Sequence, residues 1–114
     1  MIILSEVFNG IGGKWILAKY SETFYGYGTE ADFKSPWGLP VNQCGTKENV
    51  LEDCLRMAEI NKEYIREYKK ELVKNAKNES KIWEKFLDRE QKELKMHTKF
   101  ASILQNGKDK NLNE

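Results

Sequence analysis

Residues 46–106 run for sixty-one positions without a glycine or a proline, while the first 45 hold seven of the eight glycines and both prolines. Those two residue types are the strongest local breakers of a helix. The back of the chain is therefore committed to helix, and the front to turns and short strands. At 114 residues there is room for a single domain. The expectation is an α+β fold over 1–106, with sheet and loop in 1–45, helices in 46–106 and a flexible tail at 107–114.

Two runs in the front, 2–8 and 14–20, are rich in β-branched and aromatic residues. Between them Asn9-Gly10-Ile11-Gly12-Gly13 supplies the positive φ of a hairpin turn. A third run, 23–28, follows closely enough to complete a three-stranded antiparallel meander. Alternation sets Trp15, Leu17 and Lys19 against Ile16, Ala18 and Tyr20, and Thr23, Tyr25 and Tyr27 against Phe24, Gly26 and Gly28. Ile16, Ala18 and Phe24 are taken to face the helices, leaving Trp15, Tyr25 and Tyr27 outside; the reverse assignment is nearly as good. Gly26 and Gly28 read as a bulge or strand end, or as bare backbone approached by a ligand. From Thr29 to Gly45 runs a long irregular connector holding Phe33 and Trp37, which either cap the sheet or are presented to a partner.

In the back half Leu51, Ala58, Ile65 and Leu72 recur at sevens, as do Leu87, Leu94 and Ala101, with Ile82, Phe86 and Phe100 flanking that second seam. Thr46 is the expected N-cap, with Glu48 in the first turn. Polar residues at 75–80 favour two helices folded as a hairpin, although the spacing also continues unbroken, as one long helix zipped into a dimer would require. Asn61, Asn75, Glu90 and His97 fall on the seam, where they cost stability but specify register. Glu59, Glu63, Glu67 and Glu71 each precede a Lys or Arg by three residues, which reads as a solvated face.

Catalytic patterns are weak. Gly10 to Lys14 lacks the first glycine and the Ser/Thr of a phosphate loop and precedes a strand. His97 stands alone, and Cys44, Cys54 and His97 lack zinc spacing. No enzyme activity, metal or cofactor is expected. The net charge of +1 gives no global field for nucleic acid. Two cysteines without a secretory signal or an apolar span point to a reduced, cytoplasmic protein off the membrane. Abundant Lys, Asn, Glu and Ile would suit a low-GC bacterium or its phage.

The leading expectation is a small non-enzymatic binding protein, of the kind a phage or mobile element uses to inhibit a host protein. Its contact residues would be Tyr25, Tyr27, Phe33, Lys34 and Trp37. The alternative is a nucleotide or nucleic-acid binder, with bases on Tyr25, Tyr27 or Trp37 and phosphates on Lys34, Arg66 or Lys70. A third reading is a structural module that oligomerises through its helices, as a homodimer for example.

Overall fold

The computed structural model describes residues 1–8, 13–36, 38, 43–74 and 80–113, with side chains described as far as residue 106. The elements are β1 (Ile2–Phe8), β2 (Lys14–Ser21), β3 (Phe24–Thr29), α1 (Glu30–Phe33), β4 (Cys44–Gly45), α2 (Lys47–Lys74) and α3 (Ser80–Asn113). The antiparallel sheet has the order β1-β2-β3-β4, so the expected meander gains a short fourth strand. It is held by the pairs Tyr25↔Gly45 and Gly26↔Cys44. The Tyr27 amide donates to the Gln43 carbonyl at 3.0 Å beside them. Gly13 sits at φ +77, a left-handed conformation that a side chain resists, at the end of the first turn. The turn at 9–12 lies outside the described residues.

The sheet faces are the reverse of the first expectation. Leu17, Tyr25 and Tyr27 pack with Val50, Cys54, Met96, Phe100, Ala101 and Leu104 of the helices, flanked by Leu4, Val7 and Trp15. Turning the larger rings inward buries more apolar area than Ile16, Ala18 and Phe24 would. The opposite face is covered as well, since Ile16 and Ala18 are buried. There the Phe33 ring stacks on Tyr20 at 6.3 Å with planes 13° apart, and the Tyr20 hydroxyl donates to the Gly38 carbonyl at 3.2 Å. Gly26 and Gly28 are buried on this face, beside α1, which a Thr29–Asp32 capping box initiates. Lys14 ties the same side together, 3.2 Å from Glu6 and 3.6 Å from Glu30. The sheet is thus the middle of three layers.

Thr46 caps α2, its hydroxyl accepting from the Asn49 amide at 3.1 Å. α2 and α3 form an antiparallel hairpin: Asn61 meets His97 and Glu90, and Tyr68 meets Trp83 and Phe86. This excludes the single long helix; the break at 75–79 lies outside the described residues. α3 continues to Asn113, beyond Gly107 where the tail was expected to begin. One glycine costs a helix roughly 1 kcal/mol without forbidding it. The 34 residues of α3 reach about 51 Å at the usual rise, which accounts for the 54 Å long axis of the molecule.

The core under the sheet draws on α2 only as far as Cys54 and on α3 from Met96 onward. Farther out, Ala58, Asn61, Ile65 and Glu90 are buried along the seam between the helices. The remainder of the hairpin extends past the sheet.

Candidate functional site

Tyr25 and Tyr27 are 5% and 1% exposed, so neither ring is open to a docking partner. This corrects the expected contact surface. The Tyr27 hydroxyl donates to Asp53 Oδ2 at 2.5 Å, and its ring meets His97 and Phe100 edge-on. Phe33 is half-buried against Tyr20, whereas Lys34 is exposed and lies 3.4 Å from Glu30. Trp37 lies outside the described residues. Arg66 and Lys70 are exposed on α2, across the sheet from Lys34. Arg66 is two positions from both Tyr64 and Tyr68, which turns it away from those rings. Among the described residues, Arg66 and Lys70 therefore do not converge on Tyr25 or Tyr27.

Between the helices lies a closed polar cluster. Asn61 donates to Glu90 Oε1 at 2.9 Å, and its oxygen sits 2.8 Å from His97 Nδ1. All three residues are buried. Desolvation lowers the His97 pKa to about 4, opposed by the Asp53 carboxylate. Burial pushes the Cys54 thiol up to about 12, with Asp53 adding to the effect. Glu93 is raised by burial and by Glu90, against the pull of Arg89. Asn75 lies outside the described residues; the other three seam polar residues that looked costly in the sequence, Asn61, Glu90 and His97, thus satisfy one another, which is what buried polar groups require. Sealed from solvent, they offer no acid, base or nucleophile to a substrate.

On the other side of the hairpin, away from the sheet, Leu55, Ala58, Lys62, Thr98 and Ser102 line a shallow groove of about 440 Å³. There Lys62 is paired with Glu59 at 3.0 Å, and the Ser102 hydroxyl accepts from Asn106 at 3.1 Å. Among the described residues no three His, Cys, Asp or Glu side chains are placed to hold a metal ion, and no helix is long and apolar enough to cross a membrane.

A cluster of open aromatic rings lies where the hairpin outruns the sheet, apart from Phe8 at the end of β1, which is 80% exposed. Tyr64 stacks on Tyr68 at 5.7 Å, and Tyr68 touches Trp83 at 5.8 Å and Phe86 at 5.6 Å. Trp83 and Phe86 meet edge-on at 5.8 Å, with the Arg89 guanidinium 5.7 Å over the Phe86 ring. Tyr64 follows Asp53 by eleven residues, and Phe86 precedes His97 by eleven. Eleven residues bring a helix round to within about 20° of its starting direction. Both rings therefore continue the face that carries the sheet, past the point where the sheet ends. Tyr64 is 48% exposed, Ile82 54% and Phe86 36%. The sequence pattern sets Ile82 and Phe86 beside the second seam but does not mark Tyr64, whose only local signal is the four-residue spacing to Tyr68.

Comparison of the chain with family models, curated proteins and solved structures finds no match.

Proposed function

We propose that this chain is a small non-enzymatic binding protein that docks on another protein through the aromatic face of the distal hairpin. The observation that carries the reading is the cluster Tyr64, Tyr68, Trp83 and Phe86, pre-packed ring against ring yet left open beyond the sheet. Rings already fixed by their neighbours lose little entropy on binding, and such aromatics dominate the energetics of protein interfaces. The buried polar residues Asn61, Glu90 and His97 are engaged with one another, which supports binding over catalysis. The biological setting proposed is inhibition of a host protein by a phage or mobile element, and the abundant Lys, Asn, Glu and Ile suit a low-GC bacterium or its phage.

The test is differential capture from lysate of the native host, treated with nuclease. Immobilised wild type is compared with a Tyr64→Ala/Phe86→Ala double variant and with Arg66→Ala/Lys70→Ala. Retention of one protein species by wild type and the basic-residue variant, with loss by the aromatic variant, is the expected result. Equal capture by all three would remove this face from the interface, and capture abolished by nuclease would transfer the reading to nucleic acid.

A further inference from the structure

Both sides of the exposed aromatic strip are charged, with opposite sign. On α2, Glu67 and Glu71 each follow a tyrosine of the strip, Tyr64 and Tyr68, by three residues. On α3, Lys85 and Arg89 follow Ile82 and Phe86 by the same interval. Residues three apart are neighbours on a helix surface. The shared interval therefore places an acidic wall along the outer edge of α2 and a basic wall along the outer edge of α3. Arg89 lies over the Phe86 ring, with its Nε 3.5 Å from Glu90 and 3.7 Å from Glu93. The Glu67 side chain is 62% exposed, Arg89 41% and Glu71 34%. Lys70 and Lys74 approach Glu67 and Glu71 from farther out, at 3.4 and 4.0 Å. Exposed pairs of that kind contribute little and exchange readily.

We infer that the partner presents an amphipathic helix to this strip, with one basic flank and one acidic flank, so that docking completes a three-helix bundle. This rests on the docking reading above and names what the same face recognises. Two packed helices about 8–10 Å apart leave a groove that a third helix fills ridge into groove. From Tyr64 to Lys74 the strip is about 16 Å long, roughly three helical turns. An apolar stripe on the incoming helix would cover Tyr64, Tyr68 and Phe86. Its basic flank would meet Glu67 and Glu71, and its acidic flank Lys85 and Arg89, as flanking charges set pairing in coiled coils. Turning such a helix end for end exchanges its flanks, so the two walls also fix its direction.

A second copy of this chain fits poorly. The sheet stands up from the same face, so another hairpin can approach only with its ends reversed. A two-fold axis then sets α2 against α2 and the acidic wall against itself, which is unfavourable.

The full chain is titrated against three fluorescent helical peptides of about 18 residues, roughly 27 Å of helix, sharing one leucine stripe. One has a lysine flank and a glutamate flank; the others have two glutamate or two lysine flanks. Wild type is expected to bind the mixed peptide about tenfold or more tightly than either uniform one, a difference of about 1.4 kcal/mol. The Glu67→Lys/Glu71→Lys variant, its fold checked by circular dichroism, should switch its preference to the all-glutamate peptide. Indifference to flank charge, no binding of any peptide, or failure of the switch would overturn the inference. If the peptides fail while lysate capture still depends on Tyr64 and Phe86, docking stands and the helical partner falls. A dimer of the free chain in sedimentation, dissociated by Phe86→Asp, would assign the face to a second copy and would also overturn it.

Discussion

The phenol of Tyr27 donates to the carboxylate of Asp53 at 2.5 Å, joining the third strand to the first long helix inside the core. Desolvation and that carboxylate together hold the phenol protonated, its pKa well above the ordinary tyrosine value. Asp53 also receives the Arg56 guanidinium. Tyr27→Phe keeps the ring contacts with His97 and Phe100 but removes the donor. A loss of about 1.5–3 kcal/mol is expected, the range for hydrogen bonds to charged groups, read as a lower urea midpoint with unchanged slope. An unchanged midpoint would show that the bond contributes nothing net.

Asn61 serves two partners at once, donating to Glu90 and facing His97 Nδ1. Asn61→Ala leaves a buried carboxylate without its donor and opens a small void, so it should cost about 2–4 kcal/mol. Val73→Ala, at an 82% exposed position of the same helix, should change the midpoint by less than about 0.5 kcal/mol. Comparable losses in the two variants would contradict the buried network.

His97 makes stability depend on pH with a definite sign. Its folded pKa of about 4 lies below the ordinary 6.5. Between those values the unfolded chain holds a proton that the folded chain does not. Stability from this group is therefore complete above about 6.5 and falls as the pH drops toward 4, by on the order of 3 kcal/mol. Glu93, shifted upward, acts in the opposite direction as pH rises through its folded value. Urea midpoints taken across this range should climb from pH 4 to 6.5, and His97→Gln should flatten the climb. A wild-type profile already flat there would refute the assignment.

Cys54 is buried with its thiol pushed up to about 12. In a Cys44→Ser variant the remaining thiol should resist Ellman's reagent at pH 8 until urea unfolds the chain, because the thiolate is the reacting species. Modification in the folded protein at the rate of a free thiol would mean that the core opens far more readily than its packing implies.

The hairpin was legible because sixty-one residues without glycine or proline leave little but helix. The strands were legible because turn residues bracket them: expected runs at 2–8, 14–20 and 23–28 match Ile2–Phe8, Lys14–Ser21 and Phe24–Thr29. Which face of the sheet meets the helices was not legible, because both faces are covered and alternation distinguishes only a wet face from a dry one. The mutual satisfaction of Asn61, Glu90 and His97 depends on the register between two helices, which spacing within each helix does not contain. Tyr64 and Phe86 carried no mark of exposure for a related reason. Their sequence pattern matches that of core residues, and only the length of the sheet decides that nothing covers them.

Hydroxyl-radical footprinting of the free chain, and of the same chain bound to its captured partner, tests the central claim most directly. Tyr64 and Phe86 are expected to oxidise readily in the free protein and to be protected several-fold in the complex, while Tyr25 and Tyr27 stay protected in both. Equal oxidation of Tyr64 and Phe86 in the two states would contradict docking through the distal face.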